Sequence, residues 1–375
     1  MKFIGNKYRL LDFIDNVINK ESIEGPTVCD PFSGTTAVAQ YFKRKGHRVI
    51  ANDIMFFSYV FQRAFIECNR YPDFSKLIPT LPSFEDRPPE TIRLRELSTD
   101  FPGPFRREYE PLWRVINHLN RLPPRSGFVY QNYSLGGTLS KKHKRQYFSD
   151  SNAMRIDAIR DCIQNWLATG LIDEEEFYVL LAALLDSADF VANNSGTYGA
   201  FLKIWRSMAL KPLALKVLRL IPSDREHEAH QEDANELVRH TRCDILYLDP
   251  PYNTRQYATN YHLLETIAKW DNPRIYGKTG LRPYASQKSD YSVKSKCEKA
   301  FADLIDHAEC SHILMSYNDE GIIPHGVIEA VLGGVGRLRV YERRYKRFRS
   351  ESDHPGRTYK KKGDVVIERL YSVRL

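Results

Sequence analysis

Residues 27–53 read TVCDPFSGTTAVAQYFKRKGHRVIAND, and this stretch limits the fold more tightly than any other. A short apolar run, 27–29, ends at Asp30. A glycine-bearing turn, PFSGT, leads into a helical stretch at about 36–45 that Gly46 closes. A second apolar run, 48–51, ends at Asn52-Asp53. Two short strands joined through a helix run parallel, because the helix carries the chain back to the edge where it started. The pattern is therefore the opening of a parallel α/β sheet.

The same alternation returns later. A strand at 243–248 is followed by a helix at 261–270, a strand at 312–316, a helix at about 322–332 and two terminal strands at 337–342 and 365–373. Ahead of the first strand, Leu10, Leu11, Phe13, Ile14, Val17 and Ile18 share one face of a helix over 7–20. Between the two halves the pattern breaks. Seven prolines fall within residues 71–104, a density that argues against regular core structure there. Helical stretches follow at 109–122, 152–167 and 174–192. The simplest architecture is one discontinuous α/β domain, residues 1–70 and 227–375, interrupted by a mostly helical insert at 71–226.

At 375 residues and 42% apolar content, the chain can bury a sizeable core in two structural units. No apolar run approaches the ~20 residues of a membrane span. The N-terminal stretch alternates charge and apolar residues and does not read as a signal peptide. The six cysteines show no C-x-x-C spacing, so neither a zinc site nor a disulfide framework is indicated, and a reducing cytoplasm fits. The net charge of +8 is concentrated: residues 337–363 carry eleven Lys/Arg against three acids, which leaves the rest of the chain neutral. Tyr341, Tyr345, Phe348 and Tyr359 interleave with these cations, a pattern that suits a polyanion.

Three acids sit where strands end, which is where open α/β sheets bind ligands. Asp30 opens the turn whose Gly34 lets a ligand approach the backbone. That turn lacks both G-x-G-x-x-G and the lysine of a P-loop. Asp53, about 20 residues on, stands where an acid accepts hydrogen bonds from ribose hydroxyls. Together they favour a ligand with adenosine and no phosphate. Asp249 follows the apolar run at 245–248 and begins Asp249-Pro250-Pro251-Tyr252. Its carboxylate and the Pro250 carbonyl, stiffened by Pro251, offer two acceptors for the two hydrogens of one exocyclic amine. Holding both hydrogens out of plane frees the nitrogen lone pair from the ring. Tyr252 can stack on the base, an interaction worth roughly 1–3 kcal/mol.

These stretches resemble the S-adenosylmethionine-dependent DNA adenine-N6 methyltransferases of the Dam-like α group (D12 class), most closely modification methylases of FokI type. Asp30-Pro31-Phe32-Ser33-Gly34-Thr35 resembles the family's cofactor motif, and Asp249-Pro250-Pro251-Tyr252 its catalytic motif. Phe3-Ile-Gly-Asn-Lys7 resembles the N-terminal motif, which implies that Phe3 and Lys7 flank the methionine end of the cofactor. Asp53 matches the ribose-binding acid, and Asp233-Ala234 the position that contacts the cofactor adenine. The motif order defines the α group and implies a Rossmann-like class I methyltransferase sheet with a helical target-recognition insert. It further implies a monomer acting on duplex DNA by base flipping, without a metal, and leaves room for a cognate restriction endonuclease acting separately.

Two basic stretches are candidate DNA surfaces: Lys141, Lys142, Lys144 and Arg145, and Arg343, Arg344, Lys346, Arg347 and Arg349. The loop at 193–203 is a further DNA-facing candidate, and the strand end at 314–320 a candidate wall of the target-base pocket. Cytosine-N4 methylation, RNA adenine methylation and a non-catalytic DNA-specificity subunit are the competing readings. The tetrapeptide D-P-P-Y leans to adenine, and intact motifs at both the cofactor and target sites argue against a dead subunit.

Overall fold

The computed structural model of the chain describes residues 5–82, 87–96, 99–346 and 365–375. It divides into two units. One comprises Ile4–Gln62, Arg225–Asn260 and Tyr284–Leu375; the other is built from Arg63–Asp224 and Tyr261–Pro283.

The first unit contains a seven-stranded sheet: β1 (Thr27–Asp30), β2 (Arg48–Asn52), β3 (Glu228–His230), β4 (Ile245–Leu248), β5 (His312–Asn318), β6 (Arg337–Lys346) and β7 (Val365–Arg374). Across the sheet the order is β3-β2-β1-β4-β5-β7-β6. The first five strands in that order are parallel, and β7 runs antiparallel to both β5 and β6. Chain order therefore reverses between β1 and β4, the place in an open α/β sheet where a crevice forms at the carboxyl ends of the strands. Every residue of β4 and β5 is buried, as expected of central parallel strands covered on both faces. On one face Leu246, Leu248, Ile313 and Met315 pack with Leu237, Phe301 and Leu332 into a single apolar cluster. All six cysteines are free thiols.

The strands expected at 27–29, 48–51, 243–248, 312–316, 337–342 and 365–373 all form. The sequence does not announce β3, because Glu-Ala-His has no apolar alternation. It pairs as an edge strand through Ile50 opposite Glu228 and Asn52 opposite His230.

The second unit is mostly helical, with long helices at Glu110–Arg121, Asp150–Ala168 and Glu174–Phe190. Asp173 and Glu176 form a reciprocal capping box at the start of the third. The proline-rich stretch departs from expectation: Thr91–Glu96 and Thr99–Pro104 pair as an antiparallel ribbon, with Pro102 opposite Arg93 and Pro104 opposite Thr91. A two-stranded ribbon consists only of edges, where a missing N–H can face outward. Arg95 anchors the ribbon through Asp186 (2.5 Å) and Asp100 (3.0 Å).

Residues 261–283 were expected in the sheet domain, yet they group with the helical unit. One of the contacts that tie them there is made by a buried arginine. Arg160 donates from Nε to the Ile267 carbonyl and from a terminal nitrogen to the Ala268 carbonyl, both at 3.0 Å. It thereby caps the helix His262–Lys269, while its guanidinium faces the rings of Phe177 and Trp270. Among the described residues, no helix is long and apolar enough to cross a membrane.

Replacing Arg160 by Met keeps the volume but leaves two buried carbonyls unpaired. The expected loss is about 2–4 kcal/mol of unfolding free energy in a urea titration. A loss below about 0.5 kcal/mol would show that this cap is not needed.

Candidate functional site

The three acids singled out in the sequence stand at the carboxyl ends of three neighbouring parallel strands. Asp30 is the last residue of β1, Asp53 follows β2 and Asp249 follows β4.

The loop after β1 is held open by left-handed backbone at Gly34 (φ 51°) and Thr36 (φ 65°). Asp53 accepts from the Gly34 N–H (3.0 Å) with one oxygen and from the Met55 N–H (2.9 Å) with the other. Ser33 N–H donates to the Asn52 carbonyl at 2.9 Å. The Asn52 side chain donates to the carbonyls of Pro31 and Glu232 (3.1 Å each) and accepts from the Glu232 N–H (3.0 Å). One buried asparagine thus brackets the ends of β1, β2 and β3. Thr35 joins this frame through a 3.3 Å bond from Asn6.

A second wall forms beside it. Asp233 caps the helix Ala234–His240 by accepting from the Asn235 N–H (2.9 Å). The Asn235 side chain accepts from the Tyr291 hydroxyl (2.9 Å), and Phe32 meets the Tyr291 ring edge-on at 5.0 Å. Phe32, Tyr291 and the start of this helix therefore form one surface next to the β1 loop.

The electrostatics are unusual. Asp30 is buried, and its Oδ1 has no hydrogen-bond partner. Burial, then the charge of Asp249 and to a lesser degree Asp53, push its carboxyl well above the ordinary range. Burial likewise pushes Asp249 up to about 7; the Lys7 ammonium opposes this and the Glu368 carboxylate adds to it. Lys7 Nζ lies 3.2 Å from Asp249 Oδ1 and 2.8 Å from Glu368 Oε1. Burial alone would lower the Lys7 pKa, but the two carboxylates raise it well above its usual value.

Tyr252 sits close to this pair, with Lys7 Nζ 5.9 Å from its ring centroid. A Cβ at Gly5 would lie 3.2 Å from that ring, a tight contact, and the left-handed backbone there (φ 81°) favours glycine. The Tyr252 carbonyl accepts from the Ile322 N–H at 3.2 Å, which ties the Asp249–Tyr252 turn to the segment after β5. Pro250 is buried and Pro251 half-buried. No group of three His, Cys, Asp or Glu side chains among the described residues could hold a metal ion.

The basic candidates divide. Lys142, Lys144 and Arg344 are exposed. Lys141 is exposed too, but its ammonium is tied to the Gln131 carbonyl (2.6 Å) and the Asn132 side chain (3.0 Å). Arg145 must be removed from the DNA surface: it is buried and donates to the carbonyls of Asn132, Gly277 and Lys278 at 3.0–3.2 Å. Sequence alone could not separate it from its exposed neighbours, because a loop-bracing arginine and a phosphate-binding one look alike. Arg343 pairs with Asp12 at 2.8 Å. Phe3, Arg347, Arg349 and the side chain of Lys346 lie outside the described residues.

The loop at 193–203 is braced from within. Asn193 donates to the Gln146 and Leu202 carbonyls and accepts from the Arg206 N–H, while the buried Tyr198 hydroxyl donates to Asp189. In the segment at 314–320, Tyr317 turns into the core, where its hydroxyl accepts from the Ile323 N–H. Its neighbour Ser316 donates to Glu368 at 2.7 Å.

Sequence reasoning missed Tyr291 and Glu368. Only Glu368 left a signal: it is an acid at an inward position of β7, where the alternation calls for an apolar residue.

The chain was compared with known proteins. Residues 3–326 match the family model described as D12 class N6 adenine-specific DNA methyltransferase. The type II methyltransferase M.NlaIII of Neisseria lactamica is 37% identical over 355 residues, which cover 94% of this chain and 93% of that protein. The type II methyltransferase M.FokI of Planomicrobium okeanokoites is 40% identical over 357 residues, again 94% of this chain but half of that protein. The type II methyltransferase M.CviAII of Paramecium bursaria Chlorella virus 1 is 31% identical and is covered over 93% of its length.

A carboxyl whose pKa is raised on folding holds its proton more tightly in the folded chain than in the unfolded one. Folding therefore loses stability as pH climbs from the unfolded value, about 4, towards the folded one. Asp30→Asn is expected to raise the melting temperature of the ligand-free protein at pH 8, and the gain should shrink as pH falls towards 4. A variant that melts at or below the parent temperature at pH 8 would contradict this reading of Asp30.

Proposed function

Since the chain belongs to the D12 class of N6 adenine-specific DNA methyltransferases, we propose that it methylates one adenine within a specific duplex site, using S-adenosylmethionine, as the modification enzyme of a restriction-modification system. What supports the site assignment is Asp249, which follows β4 beside the end of β1 and opens a two-proline turn.

The residues present suit that cofactor. The buried Oδ1 of Asp30, unpartnered and facing further acids, calls for a donor or a cation, and an α-amino group or a sulfonium meets that demand. The loop at Pro31–Thr35, with Gly34 in left-handed backbone, leaves room for close approach, and Asp53, which braces that loop, would accept from the ribose hydroxyls. Phe32, Asp233, Ala234 and Tyr291 would hold the adenine ring, and Lys7 would stand at the methionine end, together with Phe3. When bound, S-adenosylmethionine supplies an electrophilic methyl group.

The chain's own residues prepare the nucleophile. Flipping a base out of the duplex costs a few kcal/mol, and stacking on Tyr252 offsets part of it. Asp249 and the Pro250 carbonyl accept the two amine hydrogens, so the N6 lone pair turns towards the methyl carbon. Once methylated, N6 would be cationic and would release one of its two protons to solvent water. Asp249 needs only to accept a hydrogen bond; positioning supplies most of the acceleration. Lys142, Lys144, Arg344, Lys346, Arg347 and Arg349 would contact phosphates.

Asp249→Ala is expected to lower single-turnover methyl transfer to an adenine-containing duplex at least about 100-fold, with an unchanged circular dichroism spectrum. Transfer at a near-parental rate would remove the assigned role. Because Asp249 accepts best when ionised, the parental rate should rise with pH around 7. Alanine at Arg344, Lys346, Arg347 and Arg349 should weaken DNA binding and flatten its dependence on salt; an unchanged slope would leave that strand end as plain surface.

A further inference from the structure

Glu368 lies in β7, far in sequence from every motif, yet it meets the same ammonium as Asp249. It is buried, and its Oε1 accepts from Lys7 Nζ (2.8 Å) and from Ser316 Oγ (2.7 Å). Lys7 also lies 3.2 Å from Asp249 Oδ1, a longer contact than the one it makes with Glu368. The ammonium lies nearer Glu368, and Asp249 shares it at the longer distance.

An acid is costly at an inward strand position unless it serves some purpose. Apolar packing would fill this site, since Val366 and Leu370 on the same face are buried. An unshared Lys7 would be free to turn fully onto Asp249 and occupy the acceptor that the target amine requires.

We propose that Glu368 is a positioning residue for methyl transfer: by holding the Lys7 ammonium at the shorter distance, it keeps the Asp249 carboxylate open to the amine. The inference rests on the reading of Asp249 as the amine's acceptor. The groups that face Asp249 are Lys7 from the N-terminal segment, Asp30 from β1, Tyr247 from β4, Tyr252 from the turn, Tyr317 from β5 and Glu368 from β7. Of these, Glu368 makes the shortest contact with the ammonium, 2.8 Å against 3.2 Å for Asp249.

The test is the pH profile of single-turnover methyl transfer at saturating DNA and cofactor. Glu368→Gln preserves shape and an acceptor for Ser316 but removes the charge. Lys7 then turns to Asp249, so the rate should fall about tenfold in kcat rather than KM, and the acid limb should move to lower pH. Glu368→Asp withdraws the carboxylate by one methylene and should shift the limb in the same direction, which covers the case in which the glutamine variant does not fold. A role confined to packing would leave the limb in place.

Asp249→Asn, run alongside, should give slow transfer with no acid limb. If the parent shows no limb, or the limb survives in Asp249→Asn, both the reading and this inference are overturned. A limb that vanishes with Asp249 but does not move when Glu368 is changed overturns the inference alone.

Discussion

A crevice that buries more carboxylates than cations has to be held together by something other than its own charges. Asp30, Asp249 and Glu368 all approach the inner end of the sheet, and the ammonium of Lys7 serves two of them. Ionising Asp30 and Asp249 is unfavourable in the ligand-free protein, because neither carboxylate finds full compensation for leaving water, so both hold their protons above the ordinary range. The surrounding fold tolerates this because β4 and β5 are buried along their whole length and fix the strand ends. Such stored cost is what a cationic, hydrogen-bond-donating ligand can relieve on binding.

The topology decides where that crevice can lie. Chain order reverses between β1 and β4, the place where an open α/β sheet forms a crevice at the carboxyl ends of its strands. Asn52 then bonds three of the neighbouring ends into one frame. Asp53, the next residue, holds the Gly34 loop at a fixed height. Rigid strand ends carrying short, cross-braced loops are what a reaction governed by positioning requires.

Much of this was legible in the sequence, and the reasons are specific. Strands β1, β2 and β4 are short apolar runs that end in acids, so both their existence and their functional edge show in the order of residues. The Asp249–Tyr252 turn was legible because two prolines after an acid have few structural uses. What stayed hidden depends on contacts distant in sequence. Glu368 is 361 residues from the lysine it binds. Arg145 and Lys144 are neighbours in one basic run, and only the fold turns one inward and leaves the other in water. β3 is three polar-flanked residues that become a strand only because β2 offers an edge. The helix at His262–Lys269 was legible as a helix, but the contacts that group it with the helical unit, among them those from Arg160 more than a hundred residues earlier, were not.

The central claim is that Asp249 is a carboxylate kept poised by burial and by a shared ammonium. A carbon-13 NMR titration of its side-chain carboxyl in the ligand-free protein, assigned by comparison with Asp249→Asn, tests this directly. The expected midpoint is about 7. A midpoint near the ordinary aspartate value of about 4 would contradict it.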